Sequence, residues 1–70
     1  MTQVTIIGLG LIGSSMGMAI RSARKNVKVV GFDHNSNVQN RAKKTGAVDE
    51  AEWRLDKAVQ DADLVVLAVP

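Results

Sequence analysis

The sequence contains no cysteine and no tyrosine, one proline, one histidine, and only two aromatic residues, Phe32 and Trp53. With no cysteine there is no disulfide to staple the chain, and one lone histidine does not make a metal site. Two separated aromatic side chains offer no stacking platform for unpaired bases. An excess of one charge is also missing: nine Lys and Arg stand against seven Asp and Glu, a formal +2. They are scattered apart from short groups such as Arg24-Lys25 and Lys43-Lys44, which describes a solvated surface and argues against nucleic-acid binding. No apolar run approaches the ~18 residues of a membrane span, and the start of the chain lacks the basic residues and cleavage site of a signal peptide. The expected compartment is the cytoplasm, with no membrane partner.

What is present is a chain of 70 residues, 46% hydrophobic and 23% charged. That is one globular unit near the lower size limit for a single core, since such a chain buries only about 60% of the surface it exposes when unfolded. Half of the six glycines, Gly8, Gly10 and Gly13, fall on the spacing G-x-G-x-x-G inside the first fourteen residues. At the average glycine usage of about 7%, that spacing arises by chance in roughly 2% of chains this long.

The pattern around the glycines gives them a setting. Val4, Ile6 and Ile7 form a β-branched run ending at Gly8, as a buried parallel strand would. From Leu11 to about Lys25 the period changes: Ile12, Met16, Ala19, Ile20 and Ala23 recur as one stripe of a helix, with Arg21, Arg24 and Lys25 placed where the helix dipole favours positive charge. Val27 to Phe32 is a second β-branched run, closed by Asp33. Ser36 and Gln39 form an S-x-x-Q helix start, and Gly46 supplies the matching stop. A short extended piece is expected at Ala47 to Asp49. Leu55, Ala58, Val59 and Ala62 recur at helical spacing, and Leu64 to Val69 reads as a strand covered on both faces. The order β-α-β-α-β-α-β implies an α/β fold, a Rossmann-type doubly wound parallel sheet with right-handed crossovers.

In a strand-to-helix turn of that kind each glycine has its own reason. Gly8 allows the sharp bend, Gly10 lets a pyrophosphate approach the backbone without meeting a Cβ, and Gly13 lets the helix lie close to the strands. Gly17 extends the smooth patch or serves packing. The turn from Gly8 through Leu9, Gly10, Leu11 and Ile12 to Gly13 is thus the expected cofactor-binding segment, its helix N-terminus facing the phosphates. Asp33 lies twenty positions after Gly13, where the dinucleotide fingerprint places the acid that binds ribose hydroxyls. Its carboxylate would repel a 2′-phosphate, and no arginine follows at once in His34-Asn35-Ser36, which favours NAD over NADP. Arg41 or Lys43 remain within reach of such a phosphate. The plainer alternatives are a structural glycine turn and an Asp33 that only caps its strand.

The stretches VTIIGLGLIGSSMGMAI, VVGFD, AKKTGAVDE and DADLVVLAVP, in this order and spacing, resemble the start of the prephenate dehydrogenase family, which includes arogenate dehydrogenases. The likeness spans nearly all seventy residues. Many members carry glycine where this chain has Ser14. The resemblance implies that residues 1–70 are the N-terminal part of a dinucleotide-binding domain, without the helical substrate and dimerisation domain of the family. It implies an NAD-dependent enzyme that oxidatively decarboxylates prephenate to 4-hydroxyphenylpyruvate in tyrosine biosynthesis, a homodimer at full length. By the same resemblance Gly8 to Gly13 hold the pyrophosphate, Asp33 holds the adenosine ribose, and the backbone around Ala68 to Pro70 lies along the cofactor. The catalytic histidine and substrate-binding arginines of the family lie farther along a longer chain, so no catalytic residue is assigned here and the seventy residues alone are expected to be inactive.

His34 stands beside Asp33 at the adenosine end, which assigns it to solvent or to the adenine edge rather than to proton transfer. Met16 and Met18 are expected to pack under the helix, and Trp53 to contribute in part to the core. In the doubly wound strand order, Leu64 to Val69 would form an apolar sheet edge, so the isolated chain is expected to self-associate. Two other functions fit the same residues: a different hydroxyacid-type dehydrogenase, and a non-catalytic dinucleotide-binding regulatory module, because fold and cofactor site do not name a reaction.

Overall fold

The computed structural model describes residues 2–69. Its elements alternate as β1 (Thr2–Ile7), α1 (Leu11–Ala23), β2 (Val27–Phe32), α2 (Ser36–Thr45), β3 (Glu50–Ala51), α3 (Leu55–Gln60) and β4 (Leu64–Leu67). The strands form one four-stranded sheet in the order β3-β2-β1-β4, every pairing parallel. β1 is central: Val4 pairs with Val29 on one side and with Leu64 on the other. This is the Rossmann-type α/β architecture that the alternation of β-branched runs and helical stripes implies.

The core lies around β1 and β2, where Val4, Ile6, Val29 and Val30 are buried with Leu9, Ala42, Ala47, Val48 and Ala58. Among the described residues two polar side chains are fully buried in it, Thr5 and Gln39. The buried Thr5 hydroxyl donates to the Ala58 carbonyl at 2.6 Å, tying β1 to α3. The Arg21 guanidinium pairs with the Asp49 carboxylate at 2.9 Å and donates to the Gly46 carbonyl at 2.6 Å, tying the end of α1 to the loop after α2.

Several local expectations are corrected. α1 does not bury the stripe of Ile12, Met16, Ala19 and Ala23. Its buried positions are Gly13 and Gly17, with Ile20 half-buried, while Ile12 is 70% exposed and Met16 and Met18 also face outward. A Cβ at Gly13 would strike the Gly8 carbonyl oxygen, and one at Gly17 the Ala47 carbonyl oxygen. The helix therefore approaches through its bare face, and the large side chains, about 100° round the axis, turn away. The same helix ends at Ala23 rather than near Lys25.

At α2 the cap is Asn35, whose side chain accepts the N–H groups of Asn37 and Val38. Ser36 is the first helical residue, and Gln39 is not the reciprocal member of a capping box. Gly46 does end α2, in the left-handed region at φ 83°, with its N–H on the carbonyls of Ala42 and Lys43.

The short strand falls at Glu50–Ala51, not at Ala47 to Asp49. Ala47 is still completing the helix exit, its N–H on the Ala42 carbonyl. Asp49 takes the Val29 N–H with its carboxylate at 2.7 Å, so regular pairing starts one residue later.

β4 spans Leu64–Leu67 and is not covered on both faces: Leu64, Val65 and Leu67 are exposed because only β1 pairs with this edge and, among the described residues, nothing packs beyond it. Trp53, 56% exposed, is likewise outside the core.

Candidate functional site

The carboxyl ends of β1, β2 and β4 converge on one cleft of about 620 Å³. In an open parallel sheet this is where ligands sit, at the point where successive connections leave the sheet in opposite directions. Here the chain passes from β1 to β2 on one side and later returns to β4 on the other. Ile7, Gly8, Gly10, Leu11 and Ile12 form one wall, Phe32, Asp33 and His34 the second, and Leu67, Ala68 and Val69 the third. The Ala68 N–H continues the ladder onto the Ile7 carbonyl at 2.8 Å, which fixes the third wall against the first. Pro70, expected to lie along a cofactor, is outside the described residues.

The three motif glycines are required for different physical reasons. Gly8 has φ +98°, and a Cβ there would lie 2.8 Å from the Ala68 carbonyl oxygen. Gly13 faces the Gly8 carbonyl, as described above. Gly10 has neither constraint: its φ is −69°, and nothing lies within 4 Å of where its Cβ would stand. The space over Gly10 is open cleft, so nothing in the protein itself demands glycine there, and a ligand lying against the backbone would.

Gly10 is also the N-cap of α1, and no side chain caps this helix. The first turn carries no acidic residue, and the earliest internal bond of the helix is from the Ser14 N–H to the Gly10 carbonyl at 2.9 Å. The preceding N–H groups are the donors that a helix leaves free at its start, and with the positive end of the dipole they favour an anion.

Asp33 faces this turn from the end of β2. Its Oδ2 accepts the Leu9 N–H at 2.8 Å and its Oδ1 accepts the Asn35 N–H at 2.9 Å. The side chain is 13% exposed toward the cleft, and each carboxylate oxygen keeps acceptor capacity beyond its one bond. His34 is 95% exposed with Nδ1 3.8 Å from Asp33 Oδ1, a rim position at the far side from β4. Lys43 is engaged away from the cleft, donating to the Asp49 carbonyl.

Of the residues expected to bind a cofactor, Gly8, Gly10, Leu11, Ile12 and Asp33 line the cleft. Leu9 and Gly13 do not. Leu9 is buried, its side chain packed over Gly31, and it serves the site through its backbone: its N–H meets Asp33, and its carbonyl accepts the Ser14 hydroxyl at 2.8 Å. Sequence reasoning missed Ser14 as a tie of this turn, and it missed Gln39, whose Oε1 accepts the Asp33 N–H at 2.9 Å. The available signal was a polar residue three positions before Ala42 on the buried face of α2.

Chemically, the cleft joins an anion-binding helix start to a carboxylate acceptor for hydroxyl donors, over an apolar floor. Comparison with known proteins agrees with this reading. Residues 16–70 match the family model described as prephenate dehydrogenase, nucleotide-binding domain. The chain is 43% identical over 70 residues to prephenate dehydrogenase of Lactococcus lactis subsp. cremoris, covering all of this chain and 19% of that protein. It is 40% identical over 68 residues to cyclohexadienyl dehydrogenase of Zymomonas mobilis subsp. mobilis, covering 97% and 23%. The crystal structure of prephenate dehydrogenase from A. aeolicus, in complex with hydroxyphenyl propionate and NAD+, superposes with a TM-score of 0.87 at 30% identity, covering all of this chain and 25% of that one. The chain thus spans about a fifth to a quarter of the proteins it matches. A glycine turn at the switch point of a parallel sheet, together with these matches, places the chain in the prephenate dehydrogenase family, as its nucleotide-binding domain.

Proposed function

We propose that this chain binds NAD and forms the cofactor-binding part of an NAD-dependent prephenate dehydrogenase, which converts prephenate to 4-hydroxyphenylpyruvate by oxidative decarboxylation. The observation that carries the cofactor assignment is the open space over Gly10 at an uncapped helix start, with the Asp33 carboxylate beside it. Gly8, Gly10, Leu11 and Ile12 present the backbone of the turn to the pyrophosphate, Gly13 lets α1 start close against Gly8, Leu9 holds the turn in shape, and Asp33 accepts the ribose hydroxyls. A 2′-phosphate would meet the Asp33 carboxylate at the same place, so NAD is preferred over NADP. Bound NAD supplies the hydride acceptor of the reaction.

On this reading the described residues serve binding and orientation only. His34 sits on the rim beside Asp33, at the ribose end, and has no proton to move there. Prephenate or arogenate, the proton acceptor and the contacts of a homodimer belong to the full-length protein, which acts in the cytoplasm; these seventy residues by themselves are inactive.

Calorimetric titration with NAD and NADP, repeated on Asp33→Ala, tests the assignment. The expected result is NAD binding that weakens on loss of Asp33, with NADP weaker in the parent chain. Equal affinity for the two nucleotides, or NAD binding indifferent to Asp33, overturns it. Hydride transfer to NAD by the full-length protein given prephenate separates the dehydrogenase from a regulatory module that only binds the nucleotide.

A further inference from the structure

α2 packs on the sheet through Val38 and Ala42, and between them Gln39 is completely buried. Its Oε1 accepts the Asp33 N–H at 2.9 Å, while its Nε2 is buried without a partner. Turning the amide over would set Nε2 against the Asp33 N–H, donor against donor, so only one orientation is workable. Packing alone favours an apolar side chain here, since one would strand no donor. What the amide adds is the bond to residue 33.

That bond is the first link of a continuous path. Asp33 is the first residue beyond β2, and from it the carboxylate reaches the Leu9 N–H on one oxygen and the Asn35 N–H on the other. Leu9 is held from its carbonyl side by the Ser14 hydroxyl. The interior of α2 is therefore connected to the glycine turn through two side chains, Gln39 and Asp33, by hydrogen bonds that are both partly buried. We infer that Gln39 is a positioning residue of the site: by fixing the backbone of residue 33 it aims the Asp33 carboxylate, which pins the glycine turn through Leu9 and presents its remaining acceptors to the vicinal hydroxyls of a nucleotide ribose. The last step rests on the proposed NAD site. The link from Gln39 to Leu9 stands without a ligand.

Amide hydrogen exchange and NAD titration on the protein test this together. Gln39→Met keeps length and removes the acceptor; Gln39→Glu keeps an Oε acceptor. The Leu9 amide is expected to exchange about tenfold faster in Gln39→Met, the value of one hydrogen bond of ordinary strength, while the Ile6 and Val30 amides hold their rates and Gln39→Glu keeps Leu9 slow. NAD should bind about tenfold more weakly to Gln39→Met, and adding that change to Asp33→Ala should weaken binding no further. A Leu9 amide indifferent to Gln39→Met overturns the inference. So does an increase shared equally by Ile6 and Val30, or an NAD effect that persists without Asp33, since each describes a merely structural glutamine. If Gln39→Met does not fold, Gln39→Leu replaces it under the same criteria. Should the parent chain bind no NAD, the nucleotide reading and the ribose role fail together, and the Leu9 rates still decide the link.

Discussion

A side chain added at residue 10 and a methyl group added at residue 13 meet opposite surroundings. At Gly10 the new atoms enter open cleft from an ordinary φ of −69°. At Gly13 the new carbon meets the Gly8 carbonyl, backbone that has no flexible end to move. Gly10→Val is therefore expected to melt within a few degrees of the parent while losing at least about tenfold in NAD affinity, because its side chain occupies the pyrophosphate position. Gly13→Ala is expected to lower stability by about 1–3 kcal/mol through overpacking. Thermal melts with paired NAD titrations check both, and a Gly10→Val chain that binds NAD as the parent does would remove the pyrophosphate assignment. These glycine positions were legible in the sequence because a fixed spacing between a strand pattern and a helix pattern leaves few geometries. The role of Gln39 was not legible, because S-x-x-Q is written the same way whether the glutamine caps a helix or reaches into the core from its second turn.

Elements were legible in kind and order, and less so at their ends. Where a side chain substitutes for a backbone partner, pattern alone does not show it. The Asp49 carboxylate takes the Val29 N–H and delays β3 to Glu50. The stripe on α1 was misplaced for a related reason: a hydrophobic count treats glycine as blank, and here the blank face is the one that packs. For α2 the structure makes a clear division between neighbours. Asn35 accepts two first-turn N–H groups, whereas the Ser36 side chain bonds none. Asn35→Ala is expected to cost about 1 kcal/mol, and Ser36→Ala to stay within about 0.5 kcal/mol. Urea unfolding of the two variants measures this directly, and a larger loss for Ser36→Ala would return the cap to the position that the sequence motif indicates.

At the scale of the whole molecule, the sheet is asymmetric in its protection. β3 closes one edge with two residues, too short a template for pairing. β4 forms the other, with Leu64, Val65 and Leu67 exposed, Val69 exposed just beyond it, and β1 its one partner among the described residues. An apolar edge strand with unpaired backbone groups is a template for a second chain, and Lys on such an edge is a common way of preventing that. The seventy-residue chain is therefore expected to self-associate, with a sedimentation coefficient that rises with concentration. Leu64→Lys, on the edge and outside the cleft walls, should shift it to a monomer without changing NAD affinity. The chain's small size sharpens the expectation, since burial of the β4 face adds to a core that encloses only about 60% of the unfolded surface. A monomeric profile of the parent chain, independent of concentration, would mean that the edge is silent. Association that survives Leu64→Lys would instead move the contact to the exposed apolar positions of α1, Ile12 and Met16, which the close glycine packing of that helix leaves facing outward.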